Sequence, residues 1–151
     1  MRVYNQDKTK LVNSVFSKVY KNYDLMNDIM SLGIHRLWKK SLIDWMNPQP
    51  GNLIIDVASG TGDLAKIISE KNNNKNNLCC VEPNKGMFEA GKRKLKLFTN
   101  IKWYLNSAEK LPFKENTFDF YSISYGIRNV TDINQCLSEA LRVLKPGGRF
   151  F

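Results

Sequence analysis

The sequence is poor in what a secreted, membrane-spanning or metal-dependent protein needs. Its longest apolar runs fall far short of the roughly 18 residues that cross a bilayer. Met1-Arg2-Val3-Tyr4-Asn5-Gln6-Asp7 lacks the apolar core of a secretory signal, so the chain is expected inside the cell. There is one histidine, and the three cysteines (Cys79, Cys80 and Cys136) form no CxxC pair. No metal site is expected, and the cysteines read as buried thiols of a reducing compartment. Acidic residues are also few, 14 against 23 basic ones, for a formal charge of +9. That excess favours an anionic partner without choosing between nucleic acid and an acidic membrane surface. The aromatics that interleave basic residues on a single-strand binding surface are missing. Lysines such as Lys39, Lys40, Lys92 and Lys94 are therefore expected on solvated helix faces, and no nucleic-acid partner is expected.

What is present suffices for one globular domain: 151 residues, 42% of them hydrophobic. Val12, Val15, Phe16, Val19 and Tyr20 recur at the spacing of one helix face. A second helix is read from Ile34, Leu37, Trp38, Leu42, Trp45 and Met46, and Asn47-Pro48-Gln49-Pro50-Gly51 stops it. Short apolar runs then alternate with helix-length segments, which predicts βαβ units and a mostly parallel sheet with helices on both faces. Strands are expected at Leu53 to Val57, Leu78 to Val81, Ile101 to Leu105 and Phe118 to Ser124. Asn84 starts one intervening helix and Asp132 caps the last, which Lys145-Pro146-Gly147-Gly148 ends. The asparagine-rich stretch from Lys71 to Asn77 reads as a loop without a specific task. Arg149-Phe150-Phe151 opens a fifth strand as the chain stops, so a domain truncated there, with an exposed fourth-strand edge, is expected.

The centre of the pattern is Leu53-Ile-Ile-Asp-Val-Ala-Ser-Gly-Thr-Gly-Asp-Leu64, an apolar strand breaking into a small-residue turn and a helix. Gly60 and Gly62 remove the Cβ atoms that would hold a ligand off the backbone, and the first amides of the helix have no intrahelical acceptor. In an open α/β sheet, ligands bind beyond the carboxyl ends of the strands at the switch point. Glu82 ends the second strand about 20 residues after Gly62, the offset at which an acid chelates ribose hydroxyls. Ser107, Ala108 and Ser124 follow strands three and four as candidate lining. Gly60-x-Gly62-x-x-Ala65 also fits a dinucleotide, which keeps a nicotinamide-dependent oxidoreductase open. Asp56, inside the strand end, favours instead a cofactor with a cationic amino-acid moiety and no pyrophosphate, such as S-adenosylmethionine.

Asp56-Val-Ala-Ser-Gly-Thr-Gly-Asp63, Glu82, Ala108-Glu109-x-Leu111-Pro112-Phe113 and Arg142-Val-Leu-Lys-Pro-Gly-Gly148 resemble the successive motifs of class I S-adenosylmethionine-dependent methyltransferases. The segment from Tyr23 to Lys39, with Asp24, Met26, Asn27, Met30, Gly33, His35, Arg36 and Trp38, resembles the N-terminal signature of the ubiquinone/menaquinone biosynthesis C-methyltransferases. Gly126-Ile127-Arg128-Asn129-Val130 resembles their second hallmark. The resemblance implies a Rossmann-like methyltransferase fold and methyl transfer to a ring carbon of a polyprenyl benzoquinol or naphthoquinol. Its cofactor, S-adenosylmethionine, would be held by Asp56, Ala58, Ser59, Gly60, Thr61, Gly62, Glu82, Ser107, Ala108 and Ser124. Arg128 would stabilise phenolate charge, with Asn129 and Tyr23 orienting the ring, while His35 or a water is the candidate base. Residues 1–50 would form a helical lid over an S-adenosylmethionine-binding domain at 51–151. Other readings are a cofactor-binding but inactive fragment and a basic nucleic-acid-binding module. A homo-oligomer or biosynthetic complex, and peripheral contact with an inner membrane from the cytoplasm or mitochondrial matrix, remain open. Ser59 departs from the usual glycine and is tolerated if its φ is negative; Glu82 replaces the usual aspartate.

Overall fold

The computed structural model describes residues 34–151. Helix α1 (Ile34–Met46) leads into β1 (Leu53–Val57), α2 (Asp63–Lys71), β2 (Asn77–Val81), α3 (Lys85–Lys94), β3 (Ile101–Tyr104) and β4 (Phe118–Ser122). A 3-10 turn (Ile127–Asn129), α4 (Ile133–Val143) and β5 (Leu144–Phe150) complete it. The strands form one sheet in the order β3-β2-β1-β4-β5, every pair parallel. The chain thus builds outward from β1 to β3, then crosses to β4 on β1's other side. The carboxyl ends of β1 and β4 flank the switch point.

Side chains alternate across this sheet as a period of two requires. Ile55, Val57, Cys79, Val81 and Tyr121 pack with Cys136, Ala140 and Val143 of α4 on one face. Ile54, Leu78, Cys80 and Phe120 pack on the other with Ile43 and Met46 of α1 and Leu64, Ala65 and Ile68 of α2. Asp56 and Ser122, two residues beyond Ile54 and Phe120, continue that second row, and both face α1 and α2. All three cysteines are free and buried. The helix starts are capped as expected: Asn84 Oδ1 accepts from Met87 N at 3.1 Å and Asp132 Oδ1 from Gln135 N at 3.0 Å.

Four expectations are corrected. The fifth strand is a seven-residue strand that covers β4, with Phe118 opposite Leu144 and Phe120 opposite Arg149. Pro146 and the glycine pair read as a terminator, yet they form a bulge between those two pairings. Gly148 is required there, because a Cβ would lie 2.9 Å from Lys145 O and 3.2 Å from Phe118 O. Second, α1 turns Leu42 and Met46 of the expected apolar face inward together with Ile43, while Ile34, Leu37, Trp38 and Trp45 of that face stay exposed. Burying Ile43 and Met46 is worth about 1.5–3 kcal/mol each, and Arg149 donates to Met46 O at 3.2 Å at the helix end. Third, the asparagine stretch has a task. Asn76, 1% exposed, accepts from Asn72 and donates to Gln49 O, tying the α2–β2 loop to the turn before β1. Fourth, Lys39 and Lys94 are not solvated charges but partners of Asp63. The expected helix near residues 12–20 lies outside the described residues.

Candidate cofactor and active site

The turn after β1 is built from left-handed residues: Ala58 (φ 52°), Gly60 (59°) and Gly62 (82°). Ser59 is not among them, so its extra Cβ is accommodated. Ser59 N and Oγ both donate to Val81 O, at 3.2 and 3.3 Å, and Gly62 N closes the turn on Ser59 O at 2.9 Å. Gly62 also has a steric task in the interior. Its absent Cβ points into the protein, where it would meet Leu95 Cδ1 at 2.7 Å and Trp103 Cζ2 at 2.9 Å. Gly91 faces the same indole, with a would-be Cβ 2.1 Å from Trp103. Trp103, which nothing in the sequence marked, is therefore the wedge against which the loop and α3 are set.

Two acids converge on the loop. Glu82, 5% exposed, accepts from Gly60 N through Oε2 and from Asn84 N through Oε1, each at 2.9 Å. Burial raises its pKa, and those two amides oppose the rise. The carboxylate is thus fixed at the lip of the loop, and each oxygen has a second lone pair left for a hydroxyl donor. Asp56, 2% exposed, lies on the floor between Cys80 and Ser122 in register. Burial pushes it up to about 7, moderated by the Ser122 hydroxyl and the charge of Lys39. Ser122 Oγ, buried beside it, is near enough to moderate that shift but makes no hydrogen bond of ordinary geometry. A buried acid with only this poorly aligned hydroxyl beside it is under-satisfied until a donor arrives. A ligand ammonium would satisfy Asp56, and a pyrophosphate would be repelled by it.

The strand-four hallmark is pinned to the same loop. A Cβ on Gly126 would sit 2.4 Å from Ala58 Cβ, so only glycine lets the 3-10 turn approach this closely. The turn carries Arg128 exposed and Asn129 half-buried, with Asn129 N donating to Gly126 O at 2.9 Å. Ser124 is half-buried and Tyr125 adopts φ 61°, its ring 6.5 Å from that of Trp38. After β3, Ser107 is half-buried and Ala108 packs into the apolar cluster under α4. Glu109 accepts from Thr131 N at 2.7 Å and Arg142 donates to Phe113 O at 2.7 Å, so this loop is tied to α4 and to the segment after the hallmark. The structure brings together Asp56, Ala58 to Gly62, Glu82 and the Gly126 turn. Tyr23 lies outside the described residues, as does the side chain of His35. No cluster able to hold a metal is found among the described residues.

The fold is that of a class I S-adenosylmethionine-dependent methyltransferase. The chain superposes on a SAM-dependent methyltransferase from Aquifex aeolicus with TM-score 0.66 at 20% identity, covering 72% of this chain and 58% of that one. It also superposes on the [4+2]-cyclase SpnF with TM-score 0.77 at 19% identity, covering 92% and 57%. A cyclase on this scaffold shows that fold alone does not name the reaction. Sequence narrows it: the chain belongs to the ubiE/COQ5 methyltransferase family, which it matches over residues 1–151. It is similar to the Ubiquinone/menaquinone biosynthesis C-methyltransferase UbiE of Rickettsia bellii, 48% identical over 99% of this chain and 62% of the relative. The protein of the same description from Brucella suis is 46% identical over 98% and 57%. The chain therefore spans about three fifths of the length of these curated relatives.

Proposed function

We propose that the protein methylates a ring carbon of a polyprenyl benzoquinol or naphthoquinol, using S-adenosylmethionine, as a step of ubiquinone or menaquinone biosynthesis. The observation that carries this reading is the buried Asp56 carboxylate under a glycine loop, in a chain nearly half identical to C-methyltransferases of that pathway. The donor set fits the cofactor. Asp56 meets its ammonium, Glu82 accepts from the ribose hydroxyls, Ala58 to Gly62 give backbone approach, and Ser107, Ala108 and Ser124 border the remainder. When bound, S-adenosylmethionine supplies an electrophilic methyl group and leaves as the neutral thioether.

The chain's own residues orient and activate the quinol. Its ring carbon attacks as the hydroxyl proton is drawn off, the carbon that gains the methyl group then gives up its hydrogen as a proton, and the ring oxygen takes a proton back, so that one proton is released overall. Arg128 stabilises the phenolate charge, and Asn129 and Tyr23 hold the ring in line. The N-terminal segment, residues 1–50, borders the site, and its helix α1 is anchored to the core by Ile43 and Met46.

The tail of such a substrate resides in lipid. No helix among the described residues is long and apolar enough to cross a membrane. Contact is instead peripheral, through the exposed stripe of Ile34, Leu37, Trp38 and Trp45 on α1, assisted by the chain's net positive charge and running toward Tyr125 beside the site. The protein works at the cytoplasmic or matrix surface of an inner membrane. Incubation with methyl-labelled cofactor and a reduced short-tailed polyprenyl quinol tests the reading. Label on a ring carbon is expected; label on oxygen, or no transfer, overturns it.

A further inference from the structure

The Asp63 carboxylate, at the first position of α2 and directly after the left-handed Gly62, is gripped from two elements. Lys39 Nζ of α1 approaches Oδ2 at 2.7 Å, and Lys94 Nζ at the end of α3 approaches Oδ1 at 2.5 Å and Thr61 Oγ1 at 3.3 Å. Lys39 is 13% exposed, unusually buried for a lysine. Its helix is itself fixed, by Ile43 and Met46 in the core, by Lys71 on Asp44 at 2.6 Å, and by Arg149 on Met46 O. The ammonium is therefore delivered from a rigid support to the place where the cofactor loop becomes helix. Lys39 lies one helical turn before Ile43, which packs on the Ile54–Phe120 row that Asp56 continues toward the loop, so its ammonium falls on the Asp56 side of the sheet and favours that carboxylate's ionised form.

We propose that Lys39 is a positioning residue of the cofactor site: it anchors the loop through Asp63 and, on the floor of the site, supplies the charge that readies Asp56 for a ligand ammonium. This deepens the S-adenosylmethionine reading and rests on it. An ion pair serving only stability would fix Asp63 and leave Asp56 indifferent. The groups facing Asp56 argue otherwise, because Glu82 from the end of β2 and Asp63 from α2 both oppose its ionisation. Cys80 of β2 and Tyr121 of β4 also lie within its field, and Ser122 of β4 offers a hydroxyl. Among the described residues, Lys39, from α1, is the cation set against these acids. Removing its charge leaves Asp56 protonated to higher pH, where a neutral carboxyl holds an ammonium poorly.

The test is calorimetric titration of S-adenosylhomocysteine into the full chain from about pH 5.5 to about pH 8.5, a window that brackets Asp56. Wild-type affinity is expected to rise as Asp56 ionises. Lys39→Gln keeps a hydrogen-bond donor for Asp63 but no charge. It should move the midpoint of that rise upward by about one pH unit, about a fivefold loss of affinity at about pH 7 that approaches tenfold at lower pH. Lys39→Arg should restore the wild-type midpoint, and Lys94→Gln should shift it less than Lys39→Gln does. An unmoved midpoint in Lys39→Gln, or equal shifts from Lys39→Gln and Lys94→Gln, overturns the proposal. A ligand-free measurement separates it from the cofactor reading. Thermal unfolding of Lys39→Gln should lose more stability between about pH 6 and about pH 8 than wild type does, because ionising Asp56 then lacks its cation. If wild type binds no S-adenosylhomocysteine, the cofactor reading fails; if the unfolding curves run parallel, the role of Lys39 fails.

Discussion

Asp56 should destabilise the ligand-free protein, and Asp56→Asn measures by how much. The carboxyl ordinarily titrates at 3.8 and is pushed up to about 7 in the fold, chiefly by burial. An acid whose folded pKa is raised binds its proton more tightly folded than unfolded. Stability is then highest below the unfolded value, falls as pH rises between the two values, and is level above the upper one. About three units at about 1.4 kcal/mol each give an upper bound of about 4 kcal/mol. Relaxation in the variant lowers this, and roughly 2–4 kcal/mol is expected at pH about 8. Asparagine is isosteric, carries no charge to desolvate, and presents an amide to Ser122 Oγ, which lacks a well-formed partner. Asp56→Asn should therefore unfold at a temperature roughly 6–12 °C above wild type at pH about 8, with the gain shrinking toward zero near pH 4. It should also lose cofactor affinity, the familiar exchange of function for stability. Paired thermal or urea unfolding of the two proteins across that range is the assay. Parallel pH curves, or a variant less stable than wild type at pH about 8, would refute the burial argument.

Other consequences are as direct. Gly91→Ala places a Cβ 2.1 Å from the Trp103 ring and should cost about 1–3 kcal/mol of unfolding free energy, with Trp103→Leu recovering part of it in the double variant. Asn76→Ala removes the carbonyl that accepts from Asn72 and the amide that donates to Gln49 O. Chemical denaturation should register a loss of about 1–3 kcal/mol. Arg128→Ala should lower the proposed methyl transfer far more than affinity for S-adenosylhomocysteine, and equal loss of both would remove its place at the phenolate. Binding to anionic vesicles should weaken with added salt and with Trp38→Ala; flotation that ignores both contradicts contact through α1.

Much of this was legible in the sequence because each signal was local. Leu53 to Leu64 announced strand, turn and helix by an abrupt change from apolar to small residues, and Asn84 and Asp132 announced helix starts by the chemistry of their own side chains. Glu82 was located by its spacing from the loop. What escaped depended on partners far along the chain. Lys39 and Lys94 read as solvated because nothing nearby showed that both would end on Asp63. The only hint was that Lys39 closes the N-terminal signature. Gly62 looked like a ligand-facing glycine, and only the approach of Trp103, some 40 residues later, gives it a steric reason in the interior. Pro146 and Gly148 were read as breakers because breaker chemistry is the same at a chain turn and in an edge-strand bulge. The inward face of α1 was misread because the helix is apolar on both sides, so periodicity could not say which side met the sheet.

Asp56, the Ala58 to Gly62 loop and Glu82 are proposed as the site for S-adenosylmethionine. The most direct test is calorimetric titration of the protein with S-adenosylhomocysteine and, separately, with NADH. Saturable one-to-one binding of S-adenosylhomocysteine is expected, weakened about tenfold or more by Glu82→Gln, with no heat from NADH. Saturable NADH binding with none for S-adenosylhomocysteine would contradict the proposal.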